Sequence, residues 1–237
     1  MLLTTCSSIE RLSDGSVAMI NNVSYHDASF DNPNASNGFL VQYKNATYAV
    51  TAKHVLMIAK TDNMTHVNFN GALKQWKMHP KNDSTSYIVV DKLLNTNTKD
   101  ELTWEYMDQN WDTYNDWLVF SIKENQSKQK ALRFRETALE QGEKLYALGW
   151  TYKDTVGTQR TYEYTFEQSE GDYHNLIQTN GPDYLGGLSG APIIDQKGKL
   201  VGLVSTGWVD EQTNKTMLQA TSSKNIHTFI QNLTNQK

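Results

Sequence analysis

Cysteine is almost absent from this sequence, with Cys6 the single example among 237 residues. An intrachain disulfide framework and a cysteine-rich zinc site are therefore excluded, because each needs several thiols. The fold must instead be stabilised by packing, and a composition of 38 % hydrophobic and 11 % aromatic residues supplies a core. We expect neither a metal nor a cofactor.

Positive charge is also scarce, since the net charge is −4 and no run of five or more Lys or Arg occurs. Phosphate contacts need clustered basic residues, so we expect no nucleic-acid partner. No apolar stretch approaches the roughly 20 residues that span a bilayer, so we expect no integral membrane segment. The oligomeric state is left open.

The N-terminal segment, residues 1–16, is expected to be a tail. Met1 to Ser8 resembles the end of a bacterial lipoprotein signal, in which a small apolar stretch precedes a lipid-modified cysteine. The basic region and most of the apolar region of such a signal are missing. Two interpretations stay open: Cys6 anchors an exported bacterial protein to lipid, or it is an ordinary thiol.

Short β-rich runs separated by turn residues dominate the rest of the chain, which is typical of a β-sandwich or barrel. The turns include Asn37-Gly38 and Lys197-Gly198. The runs lie at residues 38–41, 48–52, 87–90, 117–122, 144–148, 161–166, 200–205 and 217–220.

A polar tract, residues 123–135, divides these runs into two groups of similar size. The sequence therefore predicts an all-β fold of two antiparallel β-barrels, at residues 17–125 and 136–222. A C-terminal helix at 223–237 follows, because four apolar residues recur there at helical spacing after Ser222 or Ser223 as N-cap. Those four are Ile226, Phe229, Ile230 and Leu233. Residues 95–115 are polar and aromatic without a clear period, which predicts a long surface loop.

One serine, Ser189, lies among small residues in the segment GGLSGAP, residues 186–192. A nucleophilic serine needs an exposed hydroxyl and backbone N–H groups that hold the oxyanion. Gly187 and Ser189 are spaced to supply two such N–H groups, and glycine allows the tight backbone that this requires. The alternative is a glycine-rich hairpin with an incidental serine.

A serine nucleophile requires a base, and the base an orienting group. His54 is the one histidine of six that ends an apolar strand in a tight context, and Asp116 directly precedes the apolar run 117–122. These positions predict a base and its partly buried carboxylate. Otherwise His54 is a core histidine satisfied by backbone, and Asp116 caps a turn.

Taken together, the segments GFLV (38–41), YAVTAKHV (48–55), NDWL (115–118) and GLSGAP (187–192) resemble the trypsin-like protease family over nearly the whole chain. The order His, Asp, Ser is that of chymotrypsin. The segment LIQT, residues 176–179, is similar to that of disulfide-free bacterial members. This resemblance implies barrels of the chymotrypsin type and a serine endopeptidase acting on a protein or peptide substrate.

The resemblance also implies roles for single residues. Ser189 is the nucleophile, His54 the general base and acid, and Asp116 the residue that orients His54, while the N–H groups of Gly187 and Ser189 form the oxyanion hole. Ser205, Thr206 and Gly207 resemble the strand that pairs with substrate backbone. Leu188 and Ala191 depart from the residues usual in the family, at positions that need supply no side chain to the reaction. Thr206 also departs, because the family often has an aromatic residue there.

Asp183 is the candidate for substrate specificity. It lies six residues before Ser189, and this position matches that of the carboxylate at the base of the pocket in trypsin. We hypothesise that it selects Lys or Arg before the cleaved bond; the alternative is a turn residue after Gly181-Pro182.

Other functions compete less well. A catalytically silent trypsin-like binding module would keep the fold and use its cleft for a partner. An α/β-hydrolase is disfavoured, because it needs Gly-x-Ser-x-Gly and the order Ser, Asp, His. A metal-dependent hydrolase is disfavoured because the sequence has no His-Glu-x-x-His.

Overall fold

A computed structural model describes residue 12 and residues 16–155 and 159–235, so Cys6 and most of the predicted N-terminal tail lie outside the described residues. Two closed barrels, each of six antiparallel strands, account for most of the fold. The prediction of an all-β fold with two antiparallel barrels and a C-terminal helix is confirmed.

The first barrel is built around two large aromatic side chains. Trp76 and Phe120 are fully buried, with ring centroids 5.0 Å apart. Its strands are β1 (Met19–Tyr25), β2 (Asn37–Tyr43), β3 (Ala46–Thr51), β5 (Leu73–His79), β6 (Ile88–Leu93) and β8 (Leu118–Asn125), in the spatial order β1-β2-β3-β8-β6-β5. β4 (His66–Val67) and β7 (Asn97–Glu101) form a separate two-stranded sheet.

The second barrel encloses a core in which Tyr164, Leu145 and Leu218 are fully buried. Its strands are β9 (Lys144–Gly149), β10 (Arg160–Glu170), β11 (Tyr173–Asn180), β12 (Pro192–Asp195), β13 (Leu200–Asp210) and β14 (Lys215–Ser222), in the spatial order β10-β11-β14-β13-β12-β9. β-Branched and aromatic residues recur along β10 and β13, where such side chains pack well on a pleated surface.

The polar tract between the barrels is partly ordered by pairing. Leu132 bonds to β2 through the Gln42 N–H and the Leu40 carbonyl, both at 2.8 Å, and Leu200 of β13 donates to Arg133 at 2.9 Å. The connection therefore runs in an extended form along both barrels. Its first residues, 123–125, belong to β8 instead.

Helices occupy little of the chain. Among the described residues from 16 onward they are α1 (Val55–Ile58), α2 (Trp104–Gln109), α3 (Trp111–Tyr114) and α4 (Ser223–Asn235), with a 3₁₀ turn at Ala28–Phe30. In α4, Ile226 and Ile230 are fully buried and Phe229 is half-buried, as the helical spacing predicts. The Ser222 hydroxyl accepts the Lys224 N–H at 3.3 Å, which is the bond an N-cap makes.

Two local predictions are wrong. Residues 95–115 are not a surface loop, because β7, α2 and α3 lie there and Leu102, Met107 and Tyr114 are buried. Asn37-Gly38 is not a turn, because Asn37 begins β2 and is buried.

Candidate active site

His54 follows β3 by three residues and is the N-cap of the short helix α1. Its side chain is 7 % exposed. The imidazole Nδ1 lies 2.7 Å from Asp116 Oδ2, and the His54 backbone N–H donates to Asp116 Oδ1 at 2.8 Å. One carboxylate thus fixes both the ring and the backbone of His54. Nε2 is the ring nitrogen that Asp116 does not contact.

Asp116 is fully buried between the end of α3 and the start of β8. The Ser205 hydroxyl donates a short hydrogen bond to Asp116 Oδ2. Burial by itself raises the pKa of Asp116, but the charge of a protonated His54 and the hydrogen bonds from His54 and Ser205 outweigh it. The pKa of Asp116 therefore lies below its ordinary value. The carboxylate is ionised at neutral pH and can stabilise an imidazolium.

Ser189 lies in the loop between β11 and β12 and is half-buried. Its carbonyl accepts the Asn37 N–H at 3.0 Å, and the Gly190 N–H donates to the Val204 carbonyl at 2.8 Å. In the described part of the chain the Ser189 hydroxyl makes no hydrogen bond, and none joins it to His54.

The backbone beside Ser189 packs tightly against the first barrel. Gly190 has φ +75°, and a Cβ there would lie 2.3 Å from the Asn37 carbonyl oxygen and 3.0 Å from the Ala52 nitrogen. Only glycine fits such an approach. Ala52 precedes His54 by two residues, so the serine loop and the histidine meet at the same end of β3.

The backbone N–H groups of Gly187 and Ser189 are the predicted oxyanion donors. Gly187 has φ +91°, and a Cβ on it would lie 2.8 Å from Tyr152 atoms. Among the described residues, neither the Gly187 N–H nor the Ser189 N–H donates a hydrogen bond. Two unpaired N–H groups within three residues of each other provide donors for a developing negative charge.

Ser205, Thr206 and Gly207 lie on β13, beyond its pairing with β12. That pairing ends at Leu203, whereas Thr206 and Gly207 still pair with β14 on the other side. One edge of this segment is therefore open and can accept an added strand. The Ser205 hydroxyl donates to Asp116, a contact that the sequence did not indicate, and the role of residues 205–207 in binding substrate stays a prediction.

Asp183 is exposed in the loop that precedes Ser189. In the part of the chain that the structure describes it forms no ion pair. Its role in specificity stays a prediction.

Trp104 was not singled out from the sequence. It begins α2, is 53 % exposed, and places its ring centroid 5.8 Å from that of His54. The segment from Asp100 to Tyr114 that carries Trp104 is held next to His54 at both ends. The buried Lys53 donates to Asp100 Oδ2 at 2.5 Å and to the Tyr114 carbonyl. An aromatic residue two positions after Leu102 was the available signal, in a segment whose sequence predicts a loop.

Within the described ranges, no helix is long and apolar enough to cross a membrane. In the same residues, no group of three or more His, Cys, Asp or Glu side chains is placed to hold a metal ion.

Comparison with known proteins gives the family. The model of the trypsin-like peptidase domain matches residues 36–203, which include His54, Asp116 and Ser189. The chain belongs to the trypsin-like peptidase family.

A solved structure supports the fold of this trypsin-like peptidase domain. The serine endoprotease from Yersinia pestis aligns with a TM-score of 0.59 and 14 % sequence identity over 95 % of this chain. The chain spans 65 % of the length of that protein. No curated protein matches the sequence.

Proposed function

We propose that this member of the trypsin-like peptidase family is an active serine endopeptidase, with Ser189, His54 and Asp116 as its catalytic triad. The observation that carries the proposal is the fixed pair formed by His54 and the buried Asp116, beside which the Ser189 loop is packed. The lack of a hydrogen bond between the Ser189 hydroxyl and His54 among the described residues is compatible with the proposal, because catalytic hydrogen bonds are often long until substrate binds.

The first half of the reaction forms an acyl-enzyme. Ser189 Oγ attacks the carbonyl carbon of the scissile peptide bond while His54 Nε2 takes its proton. The N–H groups of Gly187 and Ser189 donate to the resulting oxyanion. The imidazolium of His54, stabilised by Asp116, then protonates the leaving amine, and the C–N bond breaks.

The second half returns the enzyme to its starting state. A water molecule gives a proton to His54 Nε2 and attacks the acyl carbon, and His54 then protonates Ser189 Oγ as the ester bond breaks. The products are a carboxylic acid and the restored hydroxyl. Throughout, the open edge of β13 at Thr206 and Gly207 would hold the substrate as an added strand.

Hydrolysis of a quenched peptide library by wild type and by Ser189→Ala tests this proposal. We expect cleavage by the wild type and a loss in the variant of several powers of ten, on the order of 10⁶-fold in kcat. Ser121→Ala is the matched control, because Ser121 is also half-buried but lies on β8 and bonds to Asp91. Equal cleavage by wild type and Ser189→Ala would remove Ser189 from the mechanism. A wild type that folds but cleaves no peptide would favour the silent binding module.

A further inference from the structure

The side chain of Asn37 connects the two barrels at the serine loop. Asn37 is 1 % exposed, and its Nδ2 donates to the Gly187 carbonyl at 2.6 Å and to the Trp150 carbonyl at 2.8 Å. Its Oδ1 accepts the Trp150 N–H at 3.1 Å. A buried amide with three hydrogen bonds to backbone is held in one orientation and holds its partners in return.

The backbone of Asn37 makes further bonds in the same region. Its N–H donates to the Ser189 carbonyl at 3.0 Å, and its carbonyl accepts the Thr51 hydroxyl at 2.6 Å and the Asn21 amide at 2.8 Å. Asn37 therefore binds the carbonyls of Gly187 and Ser189, on either side of Leu188, from one rigid position at the start of β2.

These bonds act on the donors of the proposed oxyanion hole. The Gly186 carbonyl is already fixed by the Tyr152 N–H at 2.9 Å, and because a trans peptide is planar this directs the Gly187 N–H the opposite way. The next carbonyl, that of Gly187, is fixed by Asn37. The backbone of glycine is more flexible than that of any other residue. Gly187 therefore keeps its φ of +91° only because the peptide group on each side of it is held by a hydrogen bond.

We infer that Asn37 is a positioning residue, whose side chain holds the Gly187 carbonyl and so keeps the N–H groups of Gly187 and Ser189 free for the oxyanion. This inference rests on the proposed function for its catalytic consequence. Asn37 bonds only to the protein backbone at the loop, so its effect reaches the reaction through Gly187 and Ser189.

Asn37→Ala tests the inference, because it removes the donor to Gly187 and leaves the backbone bonds of residue 37 in place. We expect kcat to fall about 10–100-fold with KM changed less than about threefold, since loss of an oxyanion donor costs about 10²–10³ in kcat and here the donor is misplaced rather than deleted. Affinity for a peptidyl trifluoromethyl ketone, whose hemiketal oxyanion needs the hole, should fall by a similar factor. Affinity for a non-covalent peptide inhibitor should not.

Asn175→Ala is the matched control for lost stability. Asn175 is also a buried amide, 7 % exposed, but its bonds go to Glu170 and Gln219 in the second barrel. We expect it to lower the melting temperature and to leave kcat per folded molecule unchanged. Equal losses of kcat in both variants, or a wild-type kcat in Asn37→Ala, would overturn the inference.

A crystal structure of Asn37→Ala gives a readout that needs no turnover. We expect the peptide between Gly186 and Gly187, or that between Gly187 and Leu188, to rotate. An unchanged loop overturns the inference even if the wild type is active. Conversely, a wild type that cleaves no peptide overturns the proposed function, while a rotated loop in the variant still supports Asn37 as the residue that holds it.

Discussion

Replacing Asp116 by asparagine changes one buried atom at the centre of the proposed triad. Asp116 accepts three hydrogen bonds, from the His54 N–H, from His54 Nδ1 and from the Ser205 hydroxyl. An amide of the same shape can accept through one oxygen only. If its NH₂ faces His54 Nδ1, the ring must carry its proton on Nε2, and it then cannot take a proton from Ser189.

The expected magnitude follows from that change of tautomer. The same replacement in a Ser-His-Asp triad lowers kcat about 10⁴-fold, which raises the barrier by about 5.4 kcal/mol. KM should change much less, because Asp116 is fully buried and does not reach substrate. Steady-state hydrolysis of a chromogenic peptide ester and amide measures both constants.

The pH dependence of stability provides a second readout. Because the folded pKa of Asp116 lies below the ordinary value of 3.8, its ionised form stabilises the fold above that pH, and this contribution is lost as the pH falls through the lowered pKa. Asp116→Asn lacks this contribution. We therefore expect the difference in unfolding free energy between wild type and variant to shrink in acid, as followed by urea denaturation.

Asp112→Asn is the matched control, because Asp112 lies on α3 only four residues away and is exposed. It should keep wild-type kcat. The reasoning fails if Asp116→Asn hydrolyses the ester and the amide within about tenfold of wild type, since a misprotonated imidazole cannot support such a rate.

Two further predictions concern the loop around the serine. Gly190→Ala should destabilise the protein by about 1–3 kcal/mol, because φ is +75° and a Cβ would lie 2.3 Å from the Asn37 carbonyl oxygen. Thermal unfolding measures this loss beside that of Gly171→Ala, where φ is +58° but nothing lies within 4 Å of the added Cβ. Equal losses of stability in the two variants would contradict the packing argument. The exposed Asp183 should select Arg or Lys before the cleaved bond by charge pairing. This selectivity is measured as kcat/KM for matched Arg, Phe and Glu peptides. A preference for Phe that Asp183→Asn leaves unchanged would refute the hypothesis.

The barrels were predictable because their strands carry local signals. β2 and β8 contain short runs of contiguous apolar residues, at 39–41 and 118–120, so these strands can be recognised before their pairing partners are known. His54 and Asp116 could be selected for a related reason, since each adjoins a strand. Their bond spans 62 positions of the chain, and its geometry follows from the barrel closure.

Tertiary contacts decided what the sequence did not reveal. Asn-Gly favours a turn locally, yet Asn37 begins β2, because the backbone and side-chain bonds it makes to both barrels outweigh that preference. Helices α2 and α3 are too short for a period to be visible, and they are ordered by burial of Met107 and Tyr114. Stacking of Trp111 on Tyr173, at 4.5 Å, ties α3 to the second barrel.

Covalent labelling tests the central claim most directly. The folded wild type is incubated with a fluorophosphonate, and the site of the adduct is located by mass spectrometry of peptides. We expect one phosphonyl group per molecule, on Ser189, formed much faster in wild type than in Asp116→Asn. An adduct on another serine, or labelling of wild type no faster than that of Ser189→Ala, would contradict the assignment of Ser189 as nucleophile.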